Sequence, residues 1–248
     1  MRRLMVRTAA VAAALTVAAC GSGSSDTPDT SATAAGLLSG MPRGSSSPMG
    51  NTDLPRGSGR TIDGPSLGYN LGDPQSPVRV VEMSDYGCGY CRQFHLETFP
   101  TLLSEFIESG MVEWKFMPFI TGMFENSLTA TEAAECALLQ SSEVFDELNE
   151  RLWTNQADWK RGSEPEAVVR TMASDAGADL GEFDACLADD RRMDRIAGAT
   201  GLAREAGVRG TPTFFIFGYP PIQGALPTET FREILSAVHA QATQGGGS

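Results

Sequence analysis

The sequence predicts an α/β fold, a strand-and-helix core interrupted by an inserted helical domain. Three observations carry that expectation. Short apolar runs with strand character (Val78–Met83, Met111–Met117, Thr213–Phe217 and Ile222–Ala225) fall in two groups either side of a long block of helix starts and stops. Each group keeps a helical segment beside it, so the order reads β α β, helices, β β α. Polar chain rich in Gly, Ser, Thr and Pro precedes all of it, so the fold begins well inside the sequence.

From the N-terminus, Met1–Arg7 is basic and Thr8–Ala19 is apolar but too short to span a bilayer, the pattern of an export signal over 1–19. Val17-Ala18-Ala19 before Cys20 resembles the lipobox of bacterial lipoproteins, which implies cleavage ahead of Cys20 and a lipid anchor on it. The alternative is an ordinary secretory signal with a chance cysteine. Several acyl chains would hold the protein at a membrane, where one would not. Residues 20–69 read as a disordered tether, whose roughly fifty residues reach on the order of 40 Å, with its last residues free to add an edge strand. The folded domain is expected over 70–243, followed by a flexible tail at 244–248.

Within that domain Val78–Met83 is a β-branched run bounded by Pro77, as in a buried strand. Cys88 to Glu97 has helical character, Pro100 is expected to kink or break it, and Thr101–Ser109 runs to a stop at Gly110. Val112, Trp114 and Phe116 alternate with Glu113, Lys115 and Met117, as in a half-buried strand. The helical insertion covers about 124–207. Ser163-Glu164-Pro165-Glu166 and Asp179 with Glu182 read as helix starts, Gly177 and Gly207 as stops. A strand at Thr213–Phe217 follows, then a turn at Gly218-Tyr219-Pro220-Pro221 and the strand Ile222–Ala225. Thr228 caps a last helix with Phe231, Ile234, Leu235 and Val238 on one face.

The chain carries 31 acidic against 19 basic residues, a formal net charge of -12. Such a surface repels phosphate and argues against nucleic-acid partners. With Cys20 lipidated, the remaining cysteines are an even set in an oxidising compartment. Cys88 and Cys91 form a C-x-x-C, leaving Cys136 and Cys186 to pair structurally or to stay as buried thiols. Joined, they would close a loop of about fifty residues, worth about 4 kcal/mol in the chain-entropy treatment.

Cys88-Gly89-Tyr90-Cys91 follows a strand and opens a helix. Free N–H groups and the helix dipole there favour a thiolate at Cys88, while Cys91 is shielded and resolves intermediates. Half of a zinc ribbon has the same spacing, but no second C-x-x-C accompanies it, so no metal is expected. Glu82 sits in the apolar strand six residues earlier; either it points to an exposed face, or it lies beneath the disulfide and relays the Cys91 proton. His95 reads as a surface or groove-edge histidine. Trp114, Trp153 and Trp159 read as core or groove aromatics, and Asp189-Asp190-Arg191-Arg192 as a solvated helix junction.

Leu71-Gly72-Asp73-Pro74, Ser76-Pro77-Val78, Val81-Glu82, Ser84-Asp85-Tyr86, Cys88 and Cys91, with Gly210-Thr211-Pro212-Thr213 later, resemble the bacterial DsbA-type proteins of the thioredoxin-like superfamily. The resemblance implies a thioredoxin-like fold with a helical insertion and a cis-proline at Pro212 facing the dithiol. It implies catalytic roles for Cys88, Cys91, Glu82 and Pro212, with Tyr90 and Thr211 contacting substrate and no cofactor. The activity implied is oxidation of thiols in exported cysteine-containing proteins outside the cytoplasm, with a membrane redox partner resetting the pair. Gly89-Tyr90 and Thr211 are instead similar to DsbC-type isomerases, and the lack of a histidine between the cysteines makes the disulfide less oxidising. Isomerase or reductase activity is therefore one alternative. Another is a Cu(I)-handling lipoprotein gripping metal with Cys88, Cys91 and His95.

Overall fold

The computed structural model describes residues 64–244. The signal segment, Cys20, the tether up to residue 63 and the chain after Gln244 lie outside the described residues. Strands β1 (Tyr69–Leu71), β2 (Val78–Ser84), β3 (Val112–Pro118), β4 (Thr213–Ile216) and β5 (Ile222–Gln223) form one sheet in the order β1-β3-β2-β4-β5. The central pair β2–β3 is parallel, and the other pairs are antiparallel. Helix α1 (89–107) leaves the loop after β2, and α8 (Thr228–Gln244) closes the chain. Between β3 and β4 lie α2 (Ser127–Gln140), α3 (Ser142–Thr154), α4 (Gln156–Lys160), α5 (Pro165–Asp175), α6 (Leu180–Ala188) and α7 (Met193–Glu205).

Strand alternation sorts β2 into faces. Val78 and Val80 join Trp114 and Phe214 against Phe94 and Leu102 of α1 and Phe231 and Leu235 of α8. Met83, with Met117, faces Ala199 and Ala203 of α7 on the other side. A further core fills the helical insertion around Leu148, Trp153, Trp159 and Phe183, and reaches Tyr86 and both cysteines of the C-x-x-C. Within it a disulfide joins Cys136 of α2 to Cys186 of α6, with Cα atoms 5.8 Å apart. Among the described residues no helix is long and apolar enough to cross a membrane.

Several local expectations are corrected. The ordered chain starts before residue 70: Gly64–Ser66 makes a 3-10 turn and Leu67 is buried. Lys115 Nζ holds the Pro65 and Leu67 carbonyls at 3.0 and 2.9 Å, and Arg195 binds the Ser66 and Gly68 carbonyls, so this polar stretch is tied to the sheet. Pro100 does not end α1. Wide π-type turns at Phe94–Thr98 and Leu103–Ile107 re-pair the backbone around it, with Phe99 N–H donating to Phe94 O and Glu108 N–H to Leu103 O. The Thr228 hydroxyl donates to Glu97 O of α1 at 3.3 Å, linking the two helices. The Asp189–Arg192 junction is not wholly solvated, because Arg192 pairs at 2.8 Å with buried Glu135.

Candidate active site

β2 delivers the chain into a tight loop that ends at Cys88. Asp85, buried at the head of the loop, accepts from Gly87 N at 2.9 Å, an Asx turn that sets the corner. Its carboxylate also accepts from Thr121 N and Thr121 Oγ1, at 3.0 and 2.8 Å, and from the Ser127 hydroxyl at the start of α2. Gly87 is required here by space: a Cβ would lie 2.3 Å from Phe124 Cβ. Gln156 Nε2, from α4, donates to Tyr86 O at 2.6 Å and Cys88 O at 3.0 Å. Tyr86 stacks on Trp153, with centroids 4.5 Å apart, and its hydroxyl donates to Asn149 Oδ1 at 2.7 Å. Arg92 Nε donates to Trp153 O at 2.9 Å. The helical insertion thus grips the loop and the first turn of α1.

Cys88 occupies the N-cap of α1 with extended backbone, φ −78° and ψ 127°, and Cys91 follows one turn inside with 0% exposure. Neither is in a disulfide. The Cys88 thiol donates to Thr211 O at 3.3 Å, across from the cis Thr211–Pro212 peptide. A hydrogen bond from Cys91 lowers the Cys88 pKa from 9.0 to about 6; burial opposes it, and the Thr211 side chain and the backbone of Cys91 and Tyr90 add to it. Burial, and the proton shared with Cys88, push Cys91 well up. The two thiols are therefore unequal, with Cys88 held toward thiolate as a helix N-terminus favours and Cys91 held toward thiol. Tyr90, 68% exposed, flanks the pair on the solvent side.

Glu82 has 0% exposure, so the exposed-face reading fails. Its Oε1 meets His95 Nε2 at 2.8 Å, and its Oε2 accepts from Trp114 Nε1 at 3.1 Å. Both oxygens are thus engaged by groups other than Cys91, whose polar neighbours are Cys88, the backbone of Asp85 and the side chain of Ser84. His95 is corrected too: it is 8% exposed, and its ring stacks on Trp153 at 4.4 Å and 8°. It is a core residue that partners a buried acid. That contact turns the His95 Nε2 toward Glu82 rather than toward the cysteines.

Sequence reasoning gave no role to Ser84, Asp85 or Gln156. Only Asp85 left a local trace, the Asp-x-Gly pattern of an Asx turn. Gln156 sits 70 positions from the carbonyl of Tyr86 that it holds.

Fold and site together define a dithiol protein of thioredoxin-like, DsbA-type architecture: a sheet, a C-x-x-C at a helix N-terminus, a cis-proline opposite it and an inserted helical domain. A family profile described as thioredoxin matches residues 67–237, and the chain belongs to that family. The chain is 33% identical over 154 residues to the Na(+)/H(+) antiporter NhaA 3 of Salinispora tropica, covering 62% of this chain but 22% of that protein. It is 26% identical over 153 residues to disulfide bond formation protein D of Bacillus subtilis, covering 59% and 66%. A putative protein-disulfide oxidoreductase of Rickettsia conorii is 26% identical over 149 residues, covering 60% and 52%. The chain therefore spans about a fifth of the Salinispora protein and half to two thirds of the others. Among solved structures, Wolbachia pipientis α-DsbA1 superposes with a TM-score of 0.64 at 21% identity, over 71% of this chain and 92% of that one. Oxidised BdbD of Bacillus subtilis gives 0.62 at 21% identity, over 69% and 92%.

Proposed function

We propose that this chain is an extracytoplasmic thiol–disulfide oxidoreductase, working as a dithiol oxidase on cysteines of exported proteins. The observation that carries the reading is the asymmetric pair at the start of α1, with Cys88 held toward thiolate and Cys91 buried. In the oxidised enzyme a substrate thiolate attacks Cys88, the Cys88–Cys91 bond breaks, and Cys91 departs with the electron pair. A second substrate thiolate then attacks the substrate sulfur of the mixed disulfide. The substrate leaves oxidised and Cys88 leaves as the stabilised thiolate. A membrane redox partner takes up the electrons and restores the disulfide. No cofactor is needed for these exchanges.

Pro212, Thr211 and exposed Tyr90 frame the place where a substrate strand would lie beside Cys88. Glu82 serves from below, anchoring His95 and so the second turn of α1 under Cys91. The cleavage-site pattern at Cys20 supports lipid anchoring, with the tether holding the domain clear of the membrane.

The test is a matched pair of variants. Cys88→Ser should abolish peptide oxidation, and Cys91→Ser should accumulate mixed disulfides at Cys88. Faster iodoacetamide labelling of Cys91 than of Cys88 in mildly acidic buffer would overturn the assignment. A second reading, isomerase or reductase, is favoured by Gly89-Tyr90, which puts no cation between the cysteines. The reduction potential separates them: a value near about −120 mV marks an oxidase and one near about −270 mV a reductase.

A further inference from the structure

Ser84 ends β2 on the same face as Val78, Val80 and Glu82, the face covered by α1. It has 0% exposure. Its carbonyl is occupied, accepting from Phe119 N at 2.7 Å, yet its hydroxyl has no hydrogen-bond partner. A buried hydroxyl in that condition is unfavourable by about 1–3 kcal/mol, so an apolar residue would serve a purely structural position better. Burial raises the Cys91 pKa, and Cys91 is near enough that a hydrogen bond from the Ser84 side chain lowers it.

We propose that Ser84 is a catalytic residue of the exchange, donating a hydrogen bond to the Cys91 sulfur when, and only when, that sulfur carries charge. This inference rests on the oxidoreductase reading above. In the resting dithiol the Cys91 proton is directed at Cys88, and the Ser84 hydroxyl is idle. When a substrate thiolate attacks Cys88, a sulfur–sulfur bond forms between them and the Cys88–Cys91 bond breaks. Its electron pair leaves on Cys91, in a site where burial opposes charge. The hydroxyl then gains a partner as the leaving sulfur gains charge. Resolution is the same step reversed: the Cys91 thiolate attacks Cys88, the mixed disulfide breaks, and the substrate departs as thiolate. Counted from the disulfide in one direction and from the neutral Cys91 thiol in the other, the interaction is absent from the ground state and present in the charged state, so it accelerates both. Glu82, two residues earlier on the same face, is already bound to His95 and Trp114 and leaves this task to Ser84.

The experiment uses the full chain carrying Ser84→Ala or Ser84→Thr, with Cys88 loaded as its glutathione mixed disulfide. Resolution by Cys91 is followed by acid quench and mass spectrometry across pH. Ser84→Ala should resolve about threefold more slowly at neutral pH, with the midpoint of the pH profile raised by about one unit: losing one hydrogen bond to a charged group cuts the Cys91 thiolate fraction about tenfold, and the more basic thiolate recovers about threefold in nucleophilicity. Ser84→Thr should restore both. Alkylation of Cys88 in the reduced protein should not change. The reduced Ser84→Ala protein should melt no lower than the parent, since only an unpaired hydroxyl is removed; a lower melting temperature would make the hydroxyl structural and overturn the proposal. An unchanged rate and profile, or a slowed rate with an unmoved midpoint, would also overturn it. If the parent protein itself does not resolve the mixed disulfide, the oxidoreductase reading falls; if the parent resolves and Ser84→Ala matches it, only the role of Ser84 falls.

Discussion

Thr211→Val removes a hydroxyl while nearly preserving shape, and it isolates one donor to the Cys88 thiolate. While Cys88 is a thiol donating to Thr211 O, Thr211 Oγ1 is buried without a partner; turned to the thiolate, the Thr211 side chain helps bring the Cys88 pKa from 9.0 to about 6. A hydrogen bond to a charged group contributes about 1.5–3 kcal/mol, and the lower end is about one pKa unit. The substitution should therefore raise Cys88 to about 7. The thiolate fraction at pH 5 then falls from about a tenth to about a hundredth, while at pH 7 it falls only from about nine tenths to about a half. Iodoacetamide labelling of the reduced protein, expressed relative to each protein's own rate at about pH 9, should be about tenfold slower at pH 5 and under about twofold slower at pH 7. Because the folded pKa lies below the unfolded one, the thiolate stabilises the dithiol form most above about pH 9, and this stability is lost as pH falls through about 6. At pH 7 the variant should lose about 1 kcal/mol of that stability before solvent screening and about half of it after. The disulfide should become less oxidising by on the order of 10 mV. Equal labelling of variant and parent at pH 5, or a deficit as large at pH 8 as at pH 5, would refute the reasoning.

Replacing both Cys136 and Cys186 by Ala removes a bridge across a sequence separation of 50. It should lower unfolding free energy by up to about 4 kcal/mol, read from denaturant midpoints, with Cys88 alkylation unchanged. Intact-mass analysis of protein from membranes should find acyl chains on an N-terminal Cys20, and an unmodified cysteine there would remove the anchor.

The sheet was legible because its strands follow local rules. The apolar alternation of Met111–Met117 foretells a strand that the structure shifts by one residue, to Val112–Pro118, and the β-branched run from Val78 one that it extends by a residue, to Ser84. The C-x-x-C and Thr211-Pro212 were visible as motifs, and their juxtaposition followed from resemblance. What escaped depended on partners distant in sequence. His95 looks like any polar residue on a short helix; it is buried because Glu82 lies 13 residues before it and Trp153 stacks on it from α3. Pro100 reads as a breaker under α-helical pairing alone, and wide turns on both sides change that pairing. Leu67 hides in a polar stretch whose composition signals disorder, and its order comes from cations on β3 and α7.

The bonds that Gln156 and Ser127 donate into the loop at Cys88, and the one that Arg92 of α1 donates to Trp153 O, mean that the inserted helices are not a removable cassette. A shortened chain that joined β3 directly to β4 would strip partners from the Tyr86 and Cys88 carbonyls and from the Asp85 carboxylate. Recombination with another family member would have to exchange residues 85–92 and 121–156 as one unit. The two stretches are separate in sequence but form a single structural part.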